Sequence, residues 1–215
     1  MNVVCVDEKT GMQALERIHP DLPTHPGKTK CIEHEYIRHG TKCLIANLEA
    51  ATGRSIAPTI GETRTELDFL LHIQQTVSLE PEKQWVFIAD QLNTHKSELL
   101  VKWVAKEIGF EGDLGKKGRK GILKSMDTRR DFLEDKSHRI RFAYTPKHCS
   151  WLNWVEVWFS KLAKRVLRKG NFGSGEVLVE EILKFISYHN KFEAKPYKWK
   201  ACPEKAIQSL KEILG

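Results

Sequence analysis

Apolar positions along the chain fall into two kinds of pattern. Short continuous runs occur at residues 2–6 (Asn2-Val3-Val4-Cys5-Val6) and 85–89 (Trp85-Val86-Phe87-Ile88-Ala89), each closed by an aspartate, Asp7 and Asp90. Such runs, bounded by polar residues, read as buried strands. Residues 36–48 and 54–60 read as two more strands, forming a hairpin that turns near Thr52 and Gly53, and 139–144 as a short last strand. Helical spacing governs 62–77, with Leu67, Leu70, Leu71 and Ile73, and 96–108, with Leu99, Leu100, Trp103, Val104 and Ile108 before Gly109. Two further helices are expected at about 152–169 and 175–191. Residues 21–30 carry two prolines and a glycine and read as a loop. Residues 111–137 are rich in Gly and Lys, with Lys116, Lys117, Arg119 and Lys120 clustered, and read as an insertion or mobile arm. The order predicts one α/β domain over 1–215, a mixed sheet covered by helices.

Charge adds a partner class. Thirty-five Lys and Arg against 28 Asp and Glu give a net charge of +7 and a pI near 9.1. A polyanion such as nucleic acid suits that balance, although it also describes an ordinary basic soluble protein. The five cysteines form no C-x-x-C pair, which fits reduced thiols in a cytosolic setting. No apolar stretch approaches the roughly 20 residues that span a bilayer. The N-terminus enters a strand-like run at once, so no leader is expected.

Candidate chemistry centres on three acids. Asp7 and Asp90 each follow a buried strand, and binding sites in open α/β sheets form beyond the carboxyl ends of strands. In the helix after residue 152, Val155, Phe159, Leu162 and Val166 share one face, and Lys161, Lys164, Arg165 and Arg168 lie opposite. Glu156 borders the apolar stripe, aimed at whatever the helix covers; the alternative is a Glu salt-bridged at the core edge. Three carboxylates brought together suit oxygen-loving ions such as Mg²⁺. Glu8 points to the other face of its strand and is not counted as a ligand. The basic face is a solvated surface or a set of phosphate contacts. Cys31, His34, His39 and Cys43 invite a zinc reading, but their spacing matches no standard finger.

The blocks Val6-Asp7-Glu8-Lys9-Thr10-Gly11, Glu35-Tyr36-Ile37-Arg38-His39-Gly40-Thr41, Ala89-Asp90-Gln91-Leu92-Asn93-Thr94-His95 and Thr145-Pro146-Lys147-His148-Cys149-Ser150-Trp151-Leu152-Asn153-Trp154-Val155-Glu156 occur in this order, followed by Gly170-Asn171-Phe172 and His189-Asn190. Together they resemble the catalytic domain of DDE-type transposases of the bacterial insertion sequence 630 family, within the mariner-related superfamily. The resemblance implies a ribonuclease-H-like mixed sheet flanked by helices. It implies a catalytic, metal-binding triad of Asp7, Asp90 and Glu156, two Mg²⁺ or Mn²⁺ ions, and DNA cleavage and strand transfer. His95 and Asn153 would support the site. Lys147, Trp151, Lys161, Lys164, Arg165 and Arg168 would contact DNA. The implied partners are double-stranded DNA at element ends and target, a second copy of the chain on DNA, and a separately encoded N-terminal DNA-binding half. The implied setting is the bacterial cytoplasm, at the nucleoid. Two rivals remain at this point: a related ribonuclease-H-like nuclease, and a decayed DNA-binding remnant. Gln91 stands where relatives commonly have Asn, and the second and third acids are further apart than in close relatives.

Overall fold

A computed structural model describes residues 1–20, 24–29, 33–146, 149 and 152–196. Its elements are β1 (Asn2–Arg17), β2 (Tyr36–Glu49), β3 (Ser55–Gly61), α1 (Glu66–Val77), β4 (Trp85–Ala89), α2 (Glu98–Glu107), α3 (Met126–Leu133), β5 (Ile140–Tyr144), α4 (Trp154–Leu162) and α5 (Gly175–Tyr188). The five strands form one sheet in the order β3-β2-β1-β4-β5. β1, β2 and β3 pair antiparallel, whereas β4 and β5 run parallel to β1. The expected mixed sheet with flanking helices is therefore present.

Alternation along β1 sends successive side chains to opposite faces. Val4 and Val6 join a core with Phe69 and Ile73 of α1, Val101 and Val104 of α2, and Phe87 and Phe142 of the neighbouring strands. Cys5 joins a second core with Val155, Trp158, Phe159 and Leu162 of α4 and Leu178 and Ile182 of α5. The sheet is thus buried on both sides, which is why β4 reads as an unbroken apolar run.

Helix boundaries follow local rules. Thr65 caps α1, accepting from the Asp68 N–H in a reciprocal capping box, and Ser97 caps α2 by accepting from the Leu100 N–H at 3.1 Å. Half of the apolar spacing read in α1 faces solvent: Leu70 and Ile73 are buried, but Leu67 and Leu71 are exposed. Leu99 of α2 is exposed as well. Period alone did not separate the two sides of these short helices.

The first strand is much longer than residues 2–6. It continues to Arg17 and pairs with β2 as far as Tyr36, with register shifts between Lys9 and Met12 and between Gln13 and Leu15. Its far end is clipped by the Gly170-Asn171-Phe172 block: Arg17 N–H donates to Asn171 Oδ1 at 2.7 Å and Phe172 N–H to the Leu15 carbonyl at 2.8 Å. His189 and Asn190 hold the β2–β3 turn. Asn190 both accepts from Ser55 N–H (2.8 Å) and donates to the Ser55 carbonyl (2.7 Å), and His189 Nε2 lies 2.9 Å from the Gly53 carbonyl. Gly53 has φ +71°, and a Cβ there would lie 2.1 Å from the Lys195 carbonyl oxygen, so only glycine fits.

The stretch 111–137, expected as an insertion or arm, carries regular structure in its second half. Residues 122–133 form a 3₁₀ turn (Ile122–Lys124) and α3, with Leu123, Phe132 and Leu133 inside the first core. Few apolar residues lie in this stretch, but Leu123, Phe132 and Leu133 are buried, and a Gly/Lys-rich composition masked them. Among the described residues no helix is long and apolar enough to cross a membrane.

Candidate active site

The parallel pairing of β1 with β4 sets the first two acids level. Cys5 pairs with Ile88, and the same register carried two residues further aligns Asp7 with Asp90, just beyond the paired region. By alternation both belong to the α4 side of the sheet, with Cys5 and Ile88. Asp7 is only 6% exposed. Its Oδ1 accepts from the Glu8 backbone N–H at 2.8 Å.

The Asp90 side chain, one-third exposed, is held by two donors on the same oxygen. The Leu92 N–H reaches Oδ1 at 2.9 Å and His95 Nδ1 reaches it at 2.8 Å. Oδ2 carries neither bond. His95 lies in a 3₁₀ turn, Asn93–Lys96, fully buried and in contact with Phe69, the ring centroids 4.3 Å apart and the planes tilted by 34°. Its second nitrogen, Nε2, is 3.1 Å from Glu8 Oε1. The turn is anchored on its other side by Tyr144, whose hydroxyl donates to the His95 carbonyl at 2.7 Å. Gln91 donates to the Thr145 carbonyl at 3.0 Å, tying the β4 and β5 exits together.

α4 delivers the third acid. Asn153 is its N-cap residue, yet the side chain makes no capping bond. Instead the amide donates to the Val6 carbonyl at 2.9 Å and lies 3.4 Å from Asp7 Oδ2. Trp154 N–H donates to the Cys5 thiol. The first turn of α4 is therefore pinned to the end of β1, and Glu156 in that turn is half-buried beside it. Among the described residues the Glu156 carboxylate has no ion-pair partner, so the salt-bridge alternative has no support there. A side chain that declines the usual local bond in order to make a distant one is expected at functional positions.

The electrostatics follow from burial and like charge. Burial pushes the Asp7 carboxyl up to about 7, against the Glu8 N–H and aided by the charges of Asp90 and Glu156. That effect places all three carboxylates in one field. Burial opposes charge on Asp90 too, but the His95 and Leu92 donors outweigh it and hold the carboxyl below its usual range. Burial opposes charge on His95, yet hydrogen bonds and charge from Asp90 and Glu8 raise it to about 10. His95 lies between two carboxylates, whose charge favours its protonated form.

The donor set suits a hard cation. It is all oxygen, it leaves Asp7 hard to ionise without a nearby positive charge, and it includes the buried Asn153 Oδ1, which has no hydrogen-bond partner. The three carboxylates share one end of the sheet without closing on a common point: among the described residues no three His, Cys, Asp or Glu side chains converge to hold a metal.

The remaining expected positions divide. Lys161 of α4 is half-buried, whereas Lys164, Arg165 and Arg168 are exposed, the first two in a π-helical turn (Ala163–Leu167) that follows α4 and Arg168 at its end. Arg165 pairs with Glu193. Lys147 and Trp151 lie outside the described residues, as does Cys31 of the zinc pattern; His39 of that pattern bonds Glu16 at 2.6 Å, and Cys43 is buried. Glu8 is the residue sequence reasoning undervalued. It does face away from Asp7, but it reaches His95. Its adjacency to Asp7 and the position of His95 five residues past Asp90 were the available signals.

The sequence profile of the DDE superfamily endonuclease family matches residues 2–179. No curated protein matches. Among solved structures, the chain is similar to the Mos1 mariner paired-end complex with Mn (15% identity, TM-score 0.35) and to the Mos1 transposase paired-end complex with left transposon end (14%, 0.34). Each alignment covers 88% of this chain and 54% or 53% of the other, so the chain spans about half the length of those proteins. With the match running from β1 into α5, the chain belongs to the DDE superfamily endonuclease family.

Proposed function

We propose that this chain is the catalytic domain of a DNA transposase of the insertion sequence 630 type, cutting and joining DNA at Asp7, Asp90 and Glu156. The observation that carries the reading is the alignment of Asp7 with Asp90 at the strand ends, with α4 pinned beside them by Asn153. Family membership supports an endonuclease.

In this reading Asp7, Asp90 and Glu156 hold Mg²⁺ or Mn²⁺, two ions in all. Bound there, the ions lower the pKa of an attacking water or 3′-hydroxyl and neutralise the leaving oxygen. The protein supplies position. Asp90 presents Oδ2 because Oδ1 is committed to Leu92 and His95. Asn153 fixes Asp7 and the start of α4 together. In-line phosphoryl transfer needs mainly such positioning and charge neutralisation, with no covalent protein nucleophile. Exposed Lys164 and Arg168 suit phosphate contacts that position DNA without reading its sequence. Two copies on paired DNA ends, and a separate N-terminal DNA-binding half, complete the reading, in a bacterial cytoplasm.

The test is nicking of supercoiled plasmid in Mn²⁺ by wild type and Asp90→Asn. Metal-dependent nicking that vanishes in a folded Asp90→Asn protein is expected. Equal nicking by the two would remove Asp90 from the site. Joining of a pre-cut 3′-end to plasmid separates a transposase from a nuclease that only hydrolyses.

A further inference from the structure

We infer that Glu8 is a positioning residue of this site, fixing the Asp90 carboxylate through His95 from the opposite face of the sheet. The inference rests on the metal-site reading of Asp90 given above. Asp7 and Glu8 are neighbours on β1, so their side chains go to opposite faces. Asp7 faces α4. Glu8 shares its face with Val4 and Val6, on the side of α1 and α2. There its side chain is 2% exposed, and His95 is fully buried. The imidazole sits where the sheet ends, and so reaches both faces: Nε2 to Glu8 Oε1 at 3.1 Å, Nδ1 to Asp90 Oδ1 at 2.8 Å.

A buried carboxylate is costly unless paired, and a pair of well-packed apolar side chains would serve a core at least as well. Stability alone does not explain Glu8. The end of the chain of contacts does. With both nitrogens of His95 committed, the ring has one orientation, and the tilted Phe69 ring packs against it at 4.3 Å. Asp90 Oδ1 then has a fixed donor and Oδ2 a fixed direction. Among the described residues Glu8 is the partner of Nε2, and without it the ring is free to turn away from Asp90. Partners of this kind, one bond removed from a ligand, commonly contribute about 10- to 100-fold in metal affinity.

The experiment measures Mn²⁺ binding to the full chain without DNA, by calorimetry or by the electron spin resonance of free Mn²⁺. Four proteins are compared: wild type, Asp90→Asn, Glu8→Leu and Glu8→Gln, each checked for folding by circular dichroism. Glu8→Leu is expected to weaken Mn²⁺ about 10- to 100-fold. Glu8→Gln, which keeps an acceptor for Nε2 and loses only charge, should fall between it and wild type. Adding His95→Gln to Glu8→Leu should cost no more than His95→Gln alone, since the two act in series. If Glu8→Leu does not fold, Glu8→Gln decides: affinity within twofold of wild type overturns the inference. Wild-type affinity in folded Glu8→Leu, with Asp90→Asn weakened, overturns it too and leaves the metal site standing. Wild-type affinity in Asp90→Asn, or no Mn²⁺ binding by wild type, removes the metal site and this inference with it.

Discussion

Asn153 donates its side-chain amide to the backbone carbonyl of Val6 at 2.9 Å, across 147 positions of sequence. One buried bond thus fixes where the start of α4 sits relative to the end of β1. Replacement with Ala leaves the Val6 carbonyl and the first turn of α4 without this tie. Asn153→Ala is expected to lose about 1–3 kcal/mol of stability and at least about tenfold in nicking rate. Asn153→Asp should be worse, because it sets a fourth carboxylate against Asp7. Urea unfolding and plasmid nicking check both; full activity in Asn153→Asp contradicts the placement.

Asp7 predicts a stability trade-off with a definite sign. Its carboxyl is raised to about 7 in the fold, against about 3.9 in the unfolded chain. The folded state therefore holds the proton more tightly. That contribution is complete below about pH 4 and is lost as pH rises through 7. Asp7→Asn lacks the ionisation. In EDTA the variant should match wild type near pH 4 and exceed it by about 2–4 kcal/mol at pH 8. Mn²⁺ should narrow the gap by stabilising only wild type. A variant less stable than wild type at pH 8 would count against the burial argument.

Leu133 tests the packing of residues 122–133. It is fully buried in the first core. Leu133→Ala should cost about 2–5 kcal/mol, read as a lower melting temperature. Shortening the exposed turn between Lys116 and Lys120 should cost far less. A change under about 0.5 kcal/mol in Leu133→Ala, the scale of a surface substitution, would mean that α3 is not part of the core.

Lys164 and Arg168 bear on DNA. If each neutralises a phosphate, the double Ala variant should reduce the slope of log affinity against log salt by roughly 1–2. Binding should weaken alike on all sequences, with Mn²⁺ affinity unchanged. An unaltered slope assigns the two residues to a merely solvated face.

Much of this was legible beforehand because a few rules operate almost undisturbed. The runs ending in Asp7 and Asp90 are buried on both faces, and strands of that kind announce themselves. The β2–β3 hairpin and α2 carry local turn and cap signals. The extension of β1 to Arg17 was not legible, since beyond Lys9 it is half-exposed and interrupted by bulges. Nor was the segment 122–133, whose three buried apolar residues, Leu123, Phe132 and Leu133, lie in a basic stretch. The Glu8–His95 contact depends on two segments meeting across a sheet edge, which no spacing encodes. The blocks at 170–172 and 189–190 were visible as resemblance alone; the fold gives them work as clips on β1 and on the turn at Gly53.

Both register shifts of β1 fall beyond the Asp7-Glu8 pair, on the side away from the paired strand ends of the core. A slip of one residue at that pair would exchange the two carboxylates between faces. Placed where they are, the bulges act as an expansion joint. The distal arms of the β1–β2 hairpin can lengthen, shorten or change partners over evolution, while the first residues of the strand keep their phase.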